Sequence, residues 1–203
     1  MTIRALRKTD LPQVASLYAT RLVNSTYAQL GGGFLRELIA GIDRSPQGIV
    51  LVDTDDAGVS GFMAAATDVE GLFAWLKTHR RWALGWRAAL GLLRRPTLLP
   101  QLLRTDDYFA KVDHAHIQAE LLYVAVRPEL ARSKLSSRLL GAMLYALHVR
   151  GATAVRVTCE KDNDQPQHLL RAFGFTARHE FTFYGKPMVL LAHDHVAEAR
   201  LEK

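Results

Sequence analysis

The chain has 203 residues, 49% hydrophobic and 23% charged, with a formal net charge of +6. That length buries a globular core, and the balance excludes a disordered or collagen-like chain. A single cysteine, Cys159, excludes an internal disulfide and a cysteine-rich metal centre, while the positive charge favours an anionic partner.

In chain order, Ile3–Leu6 is a short strand candidate. The following "KTDLPQVASLYATRL" predicts a helix, with Asp10 as cap, Pro12 in the first turn and Leu11, Val14, Leu17 and Tyr18 on one face. "GGGFLRELIAGI" has a glycine entry and a helical repeat of Phe34, Leu35, Leu38 and Ile39. "GIVLVDTDDAGVSGFMAAATD" predicts a hairpin about an Asp-Asp-Ala-Gly turn. Residues 69–112 form a basic helical insert. "HIQAELLYVAV" then reads as a central strand, nearly continuous in apolar residues. Ser133–Arg150 is a helix with Leu135, Leu139, Met143 and Leu147 inward and Gly151 at its end. "ATAVRVTC" is a strand and "NDQPQHLLRAF" a short helix closed by Gly174. "FTARHEFTFYG" and "KPMVLLAHD" form a closing strand pair, and residues 195–203 a flexible charged tail. Nothing at the N-terminus resembles a secretory signal, and the apolar runs are too short or too interrupted to span a bilayer, so a cytoplasmic protein is expected.

Three motifs in order give the second half a family likeness. "LYVAVRPE" matches a central strand running into a Val-x-Pro turn. Pro128 and Leu139-Leu140 have the spacing of a strand-loop-helix that binds a cofactor, and Asn163 and Gly174-Phe175 follow at family spacing. On these residues, best matched over about 119–185, the chain resembles the GNAT superfamily of acyl-CoA-dependent N-acyltransferases. The resemblance implies one domain over 1–203, an α/β fold. A single mixed, mostly antiparallel sheet would be flanked by helices, with the helical insert between its third and fourth strands. It also implies acetyl-CoA as acyl donor and direct transfer to a primary amine of a small molecule, such as an amino sugar; no metal is expected, since eight His and one Cys show no ligand spacing such as H-E-x-x-H. Pantetheine would pair with Tyr123, Val124, Ala125 and Val126, and the pyrophosphate would sit on the loop of Ala131, Arg132, Ser133, Lys134, Leu135 and Ser136. Asn163 and Phe173 complete the implied cofactor set.

Two departures from the family pattern bear on chemistry. The usual Arg/Gln-x-x-Gly-x-Gly/Ala loop here has Ala131, Lys134 and Ser136 at its marked positions, so no glycine lets the backbone approach a phosphate. Arg132 and Lys134 can pair with phosphate, and Ser133 or Ser136 can donate to it or cap the helix; a purely structural, solvated loop is the other reading. A tyrosine that protonates the departing thiolate in many relatives is replaced by Leu170, which has no proton to give. Tyr184 is the nearest substitute, or else an ordinary strand aromatic.

Amide formation needs a neutral amine and therefore a base. Glu120, at the start of the central strand where several relatives carry a catalytic glutamate, is the first candidate; a carboxylate in an apolar strand should be a stronger base than usual. A solvated strand-end glutamate is the alternative, and His114 and His116 are further candidates for the base. A module that keeps the fold and binds CoA without catalysis is the competing function. Nucleic acid is a poor candidate partner, since no nucleic-acid motif is present, and a second copy of the chain is a further candidate.

The insert segment 71–105 carries Lys77, Arg80, Arg81, Arg87, Arg94, Arg95 and Arg104, all three tryptophans, and no Asp or Glu. Helical spacing sets Arg80, Arg87 and Arg94 on one side and Trp82, Trp86, Leu90 and Leu93 on the other. One reading packs Trp and Leu on the sheet. The other is a cationic amphipathic lid over an anionic or lipid-linked acceptor, in contact with a membrane surface.

Overall fold

In a computed structural model, residues 2–23, 25–100, 116–131, 133–183 and 185–196 are described. The predicted strand and helix order is observed: β1 (Thr2–Ala5), α1 (Leu11–Arg21), α2 (Thr26–Gln29), α3 (Gly32–Arg44), β2 (Gly48–Asp55), β3 (Gly58–Ala66), α4 (Val69–His79), α5 (Arg81–Arg94), β4 (Glu120–Val126), α6 (Leu135–Val149), β5 (Val155–Glu160), α7 (Asp164–Ala172), β6 (Thr176–Phe183) and β7 (Lys186–His193). The short α2 lies where the sequence suggested only a loop. Of the flexible tail expected over 195–203, residues 197–203 lie outside the described residues.

The strands form one seven-stranded sheet in the order β1-β2-β3-β4-β5-β7-β6. Every neighbouring pair is antiparallel except β4 and β5. Period-two alternation divides the sheet's two faces. Val50, Val52, Phe62 and Ala64 look toward α1, α3 and α4, where Tyr18, Leu35, Ile39 and Leu72 complete one core. Ile49, Met63, Ala65 and Val155 look toward α6 and α7, packing with Leu139, Met143, Leu147 and Leu170. Each such fully buried Leu or Met contributes about 1.5–3 kcal/mol.

Helical spacing explains the inner faces: α3 buries Phe34, Leu35, Leu38, Ile39 and Ile42, and α6 buries Leu135, Leu139, Leu140, Met143, Leu144 and Leu147. The chain turns from α3 into β2 so tightly that a Cβ on Gly48 would lie 1.8 Å from the Ile42 carbonyl oxygen. At the entry to α1, Asp10 occupies the cap position but does not cap. Its carboxylate instead accepts from the two terminal guanidinium nitrogens of Arg4, Nη1 and Nη2, at 2.6 and 2.9 Å and from the Arg7 N–H at 2.8 Å.

The helices of the insert also differ from the packed reading. They break at Arg80, which is ion-paired to Glu37 of α3 at 2.5 Å and so leaves the stripe predicted with Arg87 and Arg94. Trp75 packs against the core, whereas Trp82, Trp86 and Leu93 face solvent. Residues 101–112 of the insert lie outside the described residues.

Candidate active site

The sheet opens at its middle. β4 pairs with β3 from Gly61↔Val126 to Ala66↔Glu120, and a register shift between Ala64 and Ala65 leaves Leu122 without an opposite residue. Such a bulge bends the strand. On its other side β4 meets β5 at a single parallel register pair, Glu120↔Arg156, with the Arg156 N–H donating to the Ala119 carbonyl at 2.9 Å. Beyond that point the two strands diverge.

The direction of the free backbone follows from one bond. Arg127 N–H donates to Ser60 C=O at 2.9 Å, so Arg127 faces β3. Alternation in an antiparallel ladder then turns Tyr123 and Ala125 toward β3, and Val124 and Val126 toward the opening. The Val124 side chain is exposed, while those of Ala125 and Val126 are buried. Of the four residues Tyr123–Val126, two thus present backbone to the opening beside β5.

Glu120 and Arg156 close the narrow end. Both side chains are about 95% buried, at 5% and 4% exposure, and Arg156 Nε donates to Glu120 Oε2 at 2.9 Å. Neither picture drawn from the sequence, a lone carboxylate in an apolar strand or a solvated strand end, matches this pair. Burial of either charge alone is costly, and each offsets the other. The sequence reading missed Arg156. Its signal was an arginine between two valines of the strand "TAVRVTC", which needs a buried anion.

Beside the pair, on the α1 side of the sheet, the Tyr123 ring meets Tyr18 edge-on at 5.0 Å, and the Tyr18 hydroxyl is 3.0 Å from Ser25 Oγ. Burial raises both phenols above the ordinary tyrosine range, so both are neutral hydroxyls at neutral pH. Tyr27 and Phe34 stack at 5.8 Å next to them, on α2 and α3. Leu170 is buried in the α6–α7 core, as its apolar character requires, and the alternative Tyr184 lies outside the described residues, as does His114. His116 is exposed, with φ of 49°.

The loop after β4 leads into the N-terminus of α6. Arg127 is ion-paired to Asp55, which ties the start of the loop to the β2–β3 hairpin. Ser133 Oγ donates to the Leu130 carbonyl at 2.7 Å and accepts from the Leu135 N–H at 3.2 Å, so it satisfies one of the helix's first donors. Ala131 is half-buried, Lys134 is exposed and Ser136 half-buried; Leu135 is buried in the core. Arg132 lies outside the described residues. Beneath this turn, the Arg138 guanidinium stands 3.5 Å from fully buried Asp53, which also accepts from the Ser60 hydroxyl. This polar anchor holds α6 to β2 and β3. The exposed helix end offers an anion backbone donors and the positive end of the helix dipole.

Asn163 stands exposed at the N-terminus of α7 without capping it. Buried Gln167 holds that turn by donating to the carbonyls of Glu160, Lys161 and Asn163 at 3.2, 2.9 and 3.3 Å. Phe173 packs toward α6, 3.7 Å from where a Gly141 Cβ would stand. Gly174, at φ +87°, allows the chain to turn under the His193 ring.

Among the described residues no group of three or more His, Cys, Asp or Glu is arranged to hold a metal. The arrangement supplies a strand edge for an extended amide-bearing chain, a helix N-terminus for phosphate at one end, and a buried carboxylate at the other.

Residues 102–175 match the Acetyltransferase (GNAT) family. The search of curated proteins gives no significant match. Among solved structures, the ribosomal-protein-S18-alanine N-acetyltransferase from Escherichia coli is similar with a TM-score of 0.60 and 14% identity, over 94% of this chain and 91% of that one. A ribosomal-protein-alanine N-acetyltransferase from Brucella melitensis reaches 0.63 at 13% identity, covering 96% and 99%. An N-acetyltransferase from Staphylococcus aureus Mu50 reaches 0.62 at 14%, covering 95% and 97%. At such identities the likeness is one of fold, and it runs the length of the chain. The matched segment, the splayed β4–β5 pair and that fold agree: residues 102–175 match the GNAT acetyltransferase family, and the chain has the fold of the N-acetyltransferases it is similar to.

Proposed function

We propose that the protein moves an acetyl group from acetyl-CoA to a primary amine of a small molecule, an amino sugar or sugar-linked intermediate being the first class to try. The observation that carries this reading is the opening between β4 and β5, which frees the backbone of Val124 and Val126 beside the N-terminus of α6. In this reading pantetheine amides extend the sheet along Val124 and Val126. The pyrophosphate lies against Ala131–Ser136, and strand N–H groups polarise the thioester carbonyl. The neutral amine attacks the carbonyl carbon, the C–S bond breaks, and CoA leaves as its thiol after taking a proton.

Glu120 is the proton acceptor we assign, oriented by Arg156 and reached through water because its carboxylate is buried. Tyr184 remains the assigned acid for the thiolate. The site is set in the chain's own residues, and a cytoplasmic setting with its acetyl-CoA supply is part of the same proposal.

The competing function, CoA binding without transfer, is favoured by two observations: the loop has no glycine, and Glu120 is tied up in an ion pair. Thermal-shift titration with CoA and acetyl-CoA, followed by thiol release with an amine panel, separates the two. Burial pushes the Cys159 thiol up to about 11, so the protein's own thiol reacts slowly with the thiol reagent near neutral pH. A CoA-induced shift with amine-dependent thiol release supports transfer; a shift without release under any amine supports the binding module; no shift removes both.

A further inference from the structure

We propose that α5 is a docking surface for an anionic lipid bilayer. Trp82, Trp86, Ala89 and Leu93 would seat at the boundary of headgroups and acyl chains, with Arg81, Arg87 and Arg94 on lipid phosphates.

The helix has two apolar faces, and only one is used by the fold. Leu84, Ala88 and Leu92 pack inward against the core, and Gly91 lies so close to α2's exit that a Cβ there would be 2.7 Å from the Leu30 carbonyl oxygen. The outer face carries Trp82, Trp86 and Leu93, at 80%, 67% and 81% exposure. At 100° per residue, positions 82, 86, 89 and 93 fall within roughly 60° of the helix circumference, so they form one narrow stripe. A hollow lined by Arg81, Trp82, Gly85, Trp86 and Ala89 runs along it. Large aromatic residues left in water on one side of a helix mark an interaction surface.

The charges identify the occupant. Arg87 and Arg94 stand roughly a third of a turn to one side of the stripe and Arg81 about as far to the other. All three are exposed, and none is ion-paired to a carboxylate among the described residues. Arg81 lies over the Trp82 ring at 5.5 Å, a cation held beside the aromatic it flanks. No Asp or Glu occurs from 71 to 105. An apolar stripe between two cationic shoulders complements a surface that is anionic at headgroup depth and apolar just beneath. A second copy of the chain is a poor match, because pairing two such faces sets arginine rows against each other. At 14 residues the helix is about 21 Å long, short of the roughly 30 Å hydrocarbon thickness, so it lies on the bilayer rather than crossing it. No helix among the described residues is long and apolar enough to cross a membrane.

The inference stands apart from the acetyl transfer reading and is tested without it. The full chain is sedimented with phosphatidylcholine vesicles, with and without phosphatidylglycerol, while tryptophan emission is recorded. The salt is set near 0.01 M and near 1 M, where the Debye length is about 30 Å and about 3 Å. The expected result is binding to the anionic vesicles at low salt with a blue shift of emission, lost at high salt and absent on phosphatidylcholine alone. Each arginine near an anionic surface adds roughly fivefold to partitioning, so Arg87→Glu with Arg94→Glu should lower it at least about tenfold. Trp82→Ser with Trp86→Ser should lower binding and remove the shift, and since both residues are exposed the melting temperature should hold. Wild-type protein left in the supernatant at low salt overturns the proposal, as does binding indifferent to both double variants. A dimer by light scattering that Trp82→Ser with Trp86→Ser dissolves, with no vesicle binding, instead makes this face a contact between copies.

Discussion

The buried Glu120–Arg156 pair gives the sharpest test of how the cleft is built. Arg156→Met leaves a carboxylate at 5% exposure without its cation, and removing one partner of a buried pair costs about 3–5 kcal/mol. For a chain of this size that lowers the melting temperature by roughly 6–20 °C. Glu120→Gln should cost less, because the amide oxygen still accepts from Arg156 Nε. The double variant should be more stable than the sum of the two changes predicts, by about 2 kcal/mol or more, since no charge is then left buried alone. Urea unfolding of the four proteins gives the cycle. The kinetics separate the carboxylate's roles: a general base is worth roughly 10²–10⁴ in rate. Glu120→Gln should therefore lower kcat at least about 100-fold while CoA affinity holds. Unchanged kcat would make Glu120 a clamp between β4 and β5 and nothing more. If Arg156→Met costs under about 1 kcal/mol, or the two changes are additive, the electrostatic account of the narrow end is refuted.

Three further outcomes are expected. Lys134→Glu sets an anion at the mouth of α6 and should weaken CoA binding by roughly 3–30-fold, from the loss and reversal of an exposed contact worth about 0.3–1 kcal/mol; equal affinities by calorimetry would put the pyrophosphate elsewhere. Asp10 is held below its ordinary value, first by its hydrogen bonds from Arg4, so its stabilisation is present above the unfolded value near pH 4 and is lost as pH falls through the lower folded value. Asp10→Asn should then cost about 1.5–3 kcal/mol at pH 7, and the gap to the parent should narrow in unfolding measurements below about pH 4. Gly48→Ala forces a methyl into the Ile42 carbonyl oxygen, a backbone atom that cannot step aside without unseating the end of α3, and should cost more than about 2 kcal/mol in the same assay.

Most of the architecture could be read from one-dimensional pattern because the forces that set it are periodic. The apolar rows of α3 and α6 have the helical period, and the hairpin of β2 and β3 is marked by its Asp-Asp-Ala-Gly turn. The spacing between Pro128 and Leu139-Leu140 predicts a strand, a turn and a helix, which β4 and α6 supply. What the pattern lacked was partnership across the sheet. Asp10 looks like a helix cap locally, yet Arg4, six residues back on β1, takes its carboxylate. Glu120 looks solitary because Arg156 is 36 residues away and reaches it only where β4 and β5 run parallel. Both misreadings have one cause: a charged side chain finds its counter-ion in three dimensions, and sequence distance says little about which.

The same reasoning explains α5. Its composition permits either apolar face to pack inward, and the heptad of Arg80, Arg87 and Arg94 suggests that the tryptophans do so. Packing decided otherwise, for a reason visible at Gly91. Close approach to the Leu30 backbone requires a residue without a side chain on the inner face, and Ala88 beside it is the next smallest. Trp82 and Trp86 are too large for that contact. Once the small residues face inward, the 3.6-residue period forces the tryptophans out, about 100° or more away. The exposed aromatic stripe is thus a consequence of how tightly α5 lies on the α2–α3 junction. Widening that contact is a direct way to separate packing from docking. Gly91→Ala should push α5 off Leu30 and lower stability while leaving the outer stripe and its arginines in place. Vesicle binding that survives this change, alongside a lower melting temperature, would show that the outer face acts independently of the inner one.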